Sequence, residues 1–294
     1  MIKFFYDTDS ELRFDIAKEL EIENDVIRMP YSVDGIEYLA DLGENFNAKD
    51  FFNKLRSGIL SSTAALNPEE YINYFMPYAE KGVEVFYVSF GTAFSGTFRN
   101  LDIAIREIRE KYPDFKFTRY DTEAISMAAG LIVIQAAKLL KSGLNVKEVC
   151  DELDKIKDKI NAVFVVDDLK HLKRGGRLSS AEAFFGGILQ IKPIIKLSSE
   201  GKLKPAAKVT GRNKAFSVMV KEIIETFDAS IGLPLVIMNG DCLDEAKRLE
   251  QQIKTARPEI EIWQYDVGPV IGTHCGPNTI GFCYPSVNSR PVLK

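Results

Sequence analysis

Short apolar runs alternate with amphipathic segments over the first half of the chain. The apolar runs predict four strands, at residues 2–6, 26–29, 82–89 and 115–120. The amphipathic segments predict four helices, at residues 48–57, 68–81, 96–112 and 122–142. An alternation of this kind is typical of a layered α/β fold with a mainly parallel sheet.

The second half of the chain has a different order of elements. Two predicted strands, at 193–197 and 203–209, are joined by a tight link that contains Gly201, which predicts antiparallel pairing. The other predicted elements are, in chain order, a charged helix at 146–159, a strand at 162–166, a helix at 213–227, a strand at 235–238, a helix at 243–255, a strand at 260–265 and a glycine-rich segment at 268–281. This half is therefore predicted to be mixed α+β.

The length of the chain agrees with two domains, because 294 residues exceed the size at which a single core usually keeps growing. We predict an N-terminal α/β domain at residues 1–160 and a C-terminal α+β domain at residues 161–294. The composition, with 46% hydrophobic and 27% charged residues, is that of a folded globular protein and does not indicate a function.

Charge and targeting patterns argue against several classes of protein. A net charge of −4 argues against a nucleic-acid partner, which requires clustered lysine and arginine. The N-terminus runs directly into the first predicted strand and lacks the regions of a signal peptide, so we expect a cytoplasmic protein. Residues 124–140 are the most apolar segment, but polar side chains interrupt it and it is shorter than the ~20 apolar residues that span a membrane.

Cysteine and histidine counts argue against a metal site. The four cysteines have neither the spacing of a zinc site nor the density of a disulfide scaffold, so we expect free thiols. Only two histidines are present, and neither belongs to a metal-binding motif. Asp7 and Asp9 follow the first strand, but two carboxylates without a third ligand favour capping and turn formation over metal binding.

The first candidate binding loop contains Ser95 and Gly96, between a predicted parallel strand and the helix after it. Ligands of open α/β sheets bind outside the carboxyl ends of strands. A serine and a glycine at a helix N-terminus offer a hydroxyl, free backbone N–H groups and close access to the main chain. A helix cap uses the same groups, so both interpretations of Ser95, as a ligand-binding residue and as a helix cap, stay open.

Two further segments add polar side chains. Ser61, Ser62 and Thr63 form a cluster of hydroxyls in a predicted loop before a helix, where such clusters are usually turns. Thr273 and His274 lie in a small-residue turn after an apolar, strand-like run. We expect His274 to donate to an anion, more strongly if it is protonated near neutral pH, although a lone histidine is more often structural.

A basic glycine turn at residues 172–179 precedes a helical pattern at 181–189. Two glycines are surrounded by cations, and Ser179 is a good cap for the helix. The turn is a candidate site for an anion or an acidic partner, and the alternative is a solvated turn. The chain contains no nucleophile elbow, phosphate loop or dinucleotide fingerprint.

Three of these segments together closely resemble the motifs of the DegV family of bacterial fatty-acid-binding proteins. They are residues 172–179, Phe94-Ser95-Gly96-Thr97-Phe98 and residues 268–277. The resemblance spans nearly the whole chain and implies a two-domain α/β protein that buries the tail of one long-chain fatty acid between its domains, with the carboxylate at the surface. In Gram-positive members, a separate fatty acid kinase phosphorylates that carboxyl group, and the acyl phosphate enters phospholipid synthesis.

The resemblance thus implies the carrier subunit of a fatty acid kinase. Such a subunit has no catalytic residues, no metal and no cofactor apart from its fatty acid ligand. It has no stable membrane insertion and contacts a membrane only transiently to load lipid. We expect a monomer.

The carboxylate-binding residues of the family correspond to positions in each polar segment. Ser61 takes the place of the hydroxyl donor of the family's first loop. A lost proline and an apparent insertion of two residues leave Ser62 and Thr63 as substitutes for it. Ser95 with Gly96 matches the family's Ser-Gly-Thr, and Thr273 with His274 matches its Gly-Thr-His.

The resemblance also assigns a docking face. Arg174, Arg177 and Arg212 resemble the basic face that docks the kinase, although Thr210 replaces an arginine that is common there. Asn278 stands where the family usually has glycine. Candidate tunnel walls, for which core packing is the default interpretation, are Phe184, Phe185, Ile188 and Leu189.

Two alternatives to a carrier remain at this stage. One is a small-molecule phosphotransferase or acyl hydrolase that uses the interdomain cleft, and the other is a regulatory protein for which the bound lipid is a signal. The carrier is favoured because no nucleophile lies beside a base and no nucleotide-binding loop is present.

Overall fold

The computed structural model describes residues 2–177 and 191–293, with Ile191 described by its backbone alone. The predicted helix at 181–189, its cap Ser179 and the candidate wall residues Phe184, Phe185, Ile188 and Leu189 lie outside the described residues.

A four-stranded parallel sheet forms the N-terminal half. In chain order its strands are β1 (Ile2–Asp7), β2 (Val26–Ile27), β6 (Glu84–Ser89) and β7 (Phe117–Asp121), and their order across the sheet is β2-β1-β6-β7. The helices of this half are α1 (Phe14–Glu19), α2 (Ala48–Arg56), α3 (Pro68–Ala79), α4 (Thr97–Lys111), α5 (Met127–Lys141) and α6 (Val146–Ile156). The predicted layered α/β architecture is confirmed, although the short helix α1 was not predicted.

A six-stranded mixed sheet forms the C-terminal half. Its strands are β8 (Ile160–Val165), β9 (Ile191–Leu197), β10 (Leu203–Thr210), β11 (Leu235–Asn239), β12 (Ile262–Asp266) and β13 (Ile280–Pro285), in the order β10-β9-β8-β13-β11-β12. Only β11 and β12 pair in parallel, and β9 pairs with β10 antiparallel as predicted. Its helices are α7 (Lys170–Gly175), α8 (Arg212–Thr226), α9 (Leu243–Ala256) and α10 (Pro269–Cys275).

A third, small sheet was not predicted. It consists of β3 (Pro30–Val33), β4 (Ile36–Leu39) and β5 (Ser61–Thr63), paired antiparallel in the order β4-β3-β5. Every residue of β4 is exposed, so it lacks the apolar alternation of a half-buried strand. The segment 61–63 was predicted to be a loop because hydroxyl residues are typical of turns. As a strand, it directs Ser61 and Thr63 to one face and Ser62 to the other.

Two short helices replace predicted turns. The run at 269–271 is the start of α10 rather than a strand-like segment, because Pro269 fits a first helical turn. Gly276, with φ of 75°, ends this helix. The first part of the basic turn, residues 172–175, is likewise helical and belongs to α7, and Gly176 ends this helix with φ of 65°. A backbone with positive φ favours glycine, which explains both helix ends.

The helix α5 joins the two halves of the fold. It contacts β6 of the parallel sheet and both β8 and β13 of the mixed sheet. Most of its side chains from Met127 to Ala137 are buried on all sides, as expected of a helix between two layers. Within residues 2–177 and 191–293, no helix is long and apolar enough to cross a bilayer.

Arg290, in the C-terminal segment, also connects the two halves of the fold. Arg290 is only 3% exposed, and its guanidinium donates to the carbonyl oxygens of Ile160 (2.9 Å), Glu123 (2.9 Å) and Thr122 (3.3 Å). One side chain therefore connects the start of β8 with the loop that leads into α5. All parallel-sheet strands precede residue 122 and all mixed-sheet strands begin at or after residue 160. The division into domains at 160 itself stays a prediction.

Candidate functional site

A cavity of about 180 Å³ lies between the carboxyl edge of the parallel sheet and the mixed sheet. Protein interiors rarely leave voids much larger than a water molecule, so a space of this size is not a packing defect. Most of the wall is apolar and comes from both halves of the fold. Apolar lining residues include Phe90, Phe94 and Ile125 on one side and Val163, Phe164, Met238 and Phe282 on the other.

The parallel strands bring three polar residues to the edge of this cavity. Asp9 follows β1, Ser95 follows β6, and Ser126 follows β7, and all three line the cavity. They meet because neighbouring parallel strands end at the same edge of a sheet. The sequence analysis placed Ser95 at such an edge, but it did not assign Ser126 or a ligand role to Asp9.

Ser61 and Thr273 contact each other away from the cavity. Their hydroxyl oxygens are 2.6 Å apart, and both residues are buried. Ser61 Oγ is also 2.7 Å from the carbonyl oxygen of Ser32, and Thr273 Oγ1 is 2.8 Å from that of Pro269, so one hydroxyl donates to its carbonyl while the other donates to that hydroxyl. Each hydroxyl has one proton. Because neither residue lines the cavity, this pair fastens β5 to α10 rather than facing a ligand.

Thr63 is the hydroxyl of β5 that reaches the cavity. It lies two residues after Ser61 on the same face of the strand, lines the cavity, and its Oγ1 is 2.9 Å from His274 Nε2. Ser62 is exposed on the opposite face, where its hydroxyl contacts that of Ser32 at 2.8 Å. The structure therefore brings Thr63 and His274 together and leaves Ser61 and Ser62 out of the cavity lining.

His274 is buried as a neutral imidazole. Burial, followed by the nearby charges of Arg177 and Arg174, lowers the pKa of His274 to about 4. The ring is therefore uncharged near neutral pH, so the stronger contact of a protonated ring is not available there. Nδ1 is buried, with no hydrogen-bond partner among the described residues. It faces Gly175, where a Cβ atom would lie 2.2 Å away.

This contact explains a glycine of the basic motif. No side chain fits at Gly175 while the His274 ring keeps its place, so α7 and α10 approach through a glycine and an imidazole. The resemblance identified the motif, but only the packing shows why residue 175 has no side chain.

Ser95 acts as a cap and also lines the cavity. Its Oγ accepts a hydrogen bond from the backbone N–H of Thr97 (3.2 Å) near the start of α4. Across the described residues no group accepts the Ser95 hydroxyl proton, so that proton is available to a ligand. Gly96 also lines the cavity, and its missing Cβ would meet no atom within 4 Å. The two interpretations left open by the sequence are therefore compatible.

The three predicted docking arginines have different surroundings. Arg174 is exposed, and its guanidinium is 3.2 Å from the His171 ring. Arg177 lines the cavity and donates to the carbonyl oxygen of Phe94 (3.2 Å). Arg212 forms an ion pair with Glu245 (2.6 Å), so its charge is neutralised within the chain.

The docking role predicted for Arg212 stays a prediction, because the structure shows only its contacts within the chain. Its guanidinium also donates to the carbonyl oxygen of Asn278 (2.5 Å) and stacks on Phe216, which ties α8 to α9 and to the segment before β13. Asn278 adopts a φ of 58°, which asparagine tolerates better than most residues, and it accepts a hydrogen bond from Arg56 (3.0 Å). The family glycine at this position is thus replaced by a residue that adds a contact.

One residue of the acidic pair after β1, Asp7, is hydrogen-bonded within the chain. Asp7 accepts hydrogen bonds from Tyr87 Oη (2.8 Å) and from the backbone N–H of Phe90 (2.9 Å). No group of three metal-binding side chains exists in the part of the chain that the structure describes. All four cysteines are free thiols, as predicted, and Cys275 and Cys283 line the cavity.

The family can now be assigned from comparison with known proteins. The family described as uncharacterised protein, DegV family, matches residues 1–286 of the chain. The chain belongs to the DegV family. A DegV domain-containing protein of Clostridium perfringens is 33% identical over 99% of this chain and all of its own length. The protein DegV of Bacillus subtilis is 37% identical over 56% of this chain and 59% of its own length.

Solved structures share the fold of this DegV family member. The structure of DegV from Bacillus subtilis, described as a fatty acid binding protein, has a TM-score of 0.81 at 26% identity and covers 97% of this chain and 99% of its own. A DegV family protein from Thermus thermophilus, described by its fatty acid binding, gives the same values. A stearic-acid-binding protein from Eubacterium ventriosum has a TM-score of 0.82 at 21% identity and covers 97% and 98% of the two chains.

The burial of His274 predicts its titration. Because its pKa falls from 6.5 in the unfolded chain to about 4 in the fold, the unfolded chain binds more protons between these values. We expect the His274 ring resonances to titrate near pH 4 in a nuclear magnetic resonance experiment, with His171→Asn used to assign the two histidines. His274→Asn should remove up to about 3 kcal/mol of the stability that wild type loses from pH 6.5 to 4. A His274 pKa at or above 6.5 would contradict the neutral ring.

Proposed function

We propose that this chain binds one long-chain fatty acid in the cavity, with the acyl tail against the apolar walls and the carboxylate at Thr63, Ser95 and His274. The observation that supports this most is a largely apolar cavity with neutral polar groups from three separate elements at one part of its wall. These elements are β5, the segment between β6 and α4, and α10.

The energetics favour a weakly held head group. Burying the tail contributes about 0.8 kcal/mol per methylene, so a fatty acid of ordinary length gains ample affinity from its chain. Neutral donors then suffice at the carboxylate. The free hydroxyl proton of Ser95 can donate directly. If His274 Nε2 donates to Thr63 Oγ1, the Thr63 hydroxyl proton is also available to the ligand.

The names of related structures support the proposal. The proteins from Bacillus subtilis and Thermus thermophilus are described as fatty-acid-binding, and they share this fold over 97% of the chain. Solved DegV family members are also described with vaccenic acid and heptadecanoic acid. Their fold and the cavity of this chain are consistent with the same class of ligand.

We further propose that the protein is a cytoplasmic carrier that presents the carboxylate to a separate fatty acid kinase for acyl phosphate formation in phospholipid synthesis. Arg174 is exposed, and Arg177 is part of the cavity wall on the segment that follows α7, so an acidic surface of the kinase would meet positive charge beside the ligand. In this proposal the chain has no catalytic residue of its own.

The ligand itself tests the first proposal. Native mass spectrometry of freshly purified protein should show a one-to-one adduct with the mass of a long-chain fatty acid, released on denaturation. If the protein carries no adduct and does not shift in mass with a panel of added fatty acids, fatty acid binding is ruled out. Turnover of an ester or phosphate by the isolated protein would favour an enzyme instead.

The position of Thr63 predicts different effects for the hydroxyls of Thr63 and Ser61, which share one face of β5. Thr63→Val keeps the shape and removes the hydroxyl, so we expect affinity for a fatty acid to fall about tenfold, the usual worth of a hydrogen bond to a charged group. Ser61→Ala should instead lower the free energy of unfolding by about 1 kcal/mol and leave affinity nearly unchanged. Displacement of a fluorescent fatty acid and urea denaturation measure the two effects. An equal loss of affinity in both variants would contradict this assignment.

The docking proposal predicts a separation between lipid content and phosphorylation. Arg174→Glu should lower the rate of acyl phosphate formation with ATP and the kinase severalfold, because it reverses a charge at the contact. The bound lipid, measured by mass spectrometry, should not change. Arg106→Glu, an exposed arginine of α4, is the matched control. Equal rates in the two variants would exclude Arg174 from the interface.

A further inference from the structure

The carboxyl group of Asp9 faces the cavity without a hydrogen-bond partner. Asp9 is 6% exposed and lines the cavity. Its Oδ1 atom is fully buried and has no partner within residues 2–177 and 191–293. Asp7, two residues earlier, also has an Oδ1 atom without a partner among the described residues, but its Oδ2 accepts from Tyr87 and Phe90 and the residue does not line the cavity.

An unpartnered buried carboxyl is a costly feature. A polar group that loses water without gaining a partner costs about 1–3 kcal/mol, and native proteins satisfy nearly all such groups. An apolar residue at position 9 would avoid this cost in a cavity that served only an aliphatic chain. The group thus indicates a ligand atom that completes its hydrogen bonding.

The backbone holds Asp9 firmly in this position. The N–H of Ser126 donates to the carbonyl oxygen of Asp9 (3.0 Å), and the Ser126 hydroxyl is bonded to Glu11. Ser126 adopts φ of 56° and ψ of −154°, a conformation that is costly for any residue except glycine. Strain of this kind next to a cavity agrees with a position fixed for binding rather than with a loose surface loop.

The surroundings of Asp9 favour its protonated form. Burial raises its pKa well above the usual range, the nearby carboxylates of Asp7 and Glu11 raise it further, and Arg177 opposes the shift. A protonated carboxyl has one O–H donor and one carbonyl acceptor. It suits a hydroxyl group, which can donate to it and accept from it, better than a cation or a second carboxylate.

We propose that the cavity selects a fatty acid with a hydroxyl group on its acyl chain, and that Asp9 forms the hydrogen bond to this hydroxyl. The inference rests on the proposed fatty acid binding. The carboxylate already has its own donors in the hydroxyls of Thr63 and Ser95, with His274 bonded to Thr63, whereas the lining contributed by Met29, Phe90 and Ile125 is apolar. A site built to bond a hydroxyl discriminates against the analogue that lacks it, because the polar group of the site is then left unpaired.

The test compares stearic acid with three hydroxystearic acids whose hydroxyl lies near the carboxyl end, at mid-chain and near the methyl end. Affinities are measured by displacement of a fluorescent fatty acid from wild type, Asp9→Leu and Asp9→Asn. Asp102→Leu, the same exchange at an exposed aspartate of α4 outside the cavity, is the matched control. Thermal unfolding shows that each variant is folded, and Asp9→Ala replaces Asp9→Leu if the larger side chain prevents folding.

We expect at least one hydroxystearic acid to bind wild type about tenfold more tightly than stearic acid. Asp9→Leu should abolish this preference and bind stearic acid more tightly than wild type does. Asp9→Asn, which keeps a donor and an acceptor, should retain most of the preference, and Asp102→Leu should not change it.

Two results would overturn the inference while leaving fatty acid binding intact. In the first, wild type binds stearic acid as tightly as it binds every hydroxystearic acid. In the second, the preference for a hydroxystearic acid persists in Asp9→Leu. Asp9 would then bond only an ordered water molecule. If neither stearic acid nor any hydroxystearic acid binds wild type, the proposed function fails as well, so the two failures are distinguishable.

Discussion

The packing of the His274 ring between Gly175 and Thr63 determines how one end of the cavity is built. The imidazole occupies the space where a side chain at residue 175 would lie, and its other nitrogen contacts the only hydroxyl of β5 that faces the cavity. Three elements that are distant in the chain, β5, α7 and α10, therefore meet at one ring. The neighbouring pair of Ser61 and Thr273 fastens the same strand to the same helix, so the ring has a fixed support.

Neutrality is the common property of the polar groups around this site. Burial lowers the pKa of His274 to about 4 and raises the pKa of Asp7 and of Glu11 to about 7. Bases lose their proton and acids tend to keep theirs, because a low-dielectric interior disfavours either charge. A carboxylate brought in by an apolar tail thus meets dipoles and little fixed charge apart from Arg177.

Periodicity in the sequence was sufficient for the main architecture. The strands β1, β6 and β7 and most helices lie within a few residues of their predicted positions, because apolar runs and amphipathic spacing report directly on burial. The short strand β5 could not be recognised in this way, since three hydroxyl residues resemble a turn and the pairing strand β3 is about thirty residues away. The same limit applies to the mixed sheet, where β13 was hidden in a glycine-rich segment.

The site was predictable only as a set of loops. The sequence identified Ser95 and His274 as candidate site residues. It could not select Thr63 over Ser61, because that choice depends on the contacts each side chain makes from β5, a strand that had not been predicted. The charge state of His274 depends on its burial beside α7. The ion pair between Arg212 and Glu245 joins residues 33 positions apart in the chain. Such features arise from tertiary contacts that no local pattern encodes.

The position of β13 and Arg290 in the chain has a consequence for synthesis. The strand β13 lies at the centre of the mixed sheet, between β8 and β11, and Arg290 bonds the loop before α5, which carries two residues of the cavity wall. Both leave the ribosome after every other strand described here. The N-terminal sheet can form during translation, as N-terminal domains usually do. Its apolar edge, however, is covered only after residues 280–290 have been synthesised. A nascent chain therefore exposes this apolar edge until residues 280–290 have been synthesised, and a chaperone can reach the edge before the cavity closes.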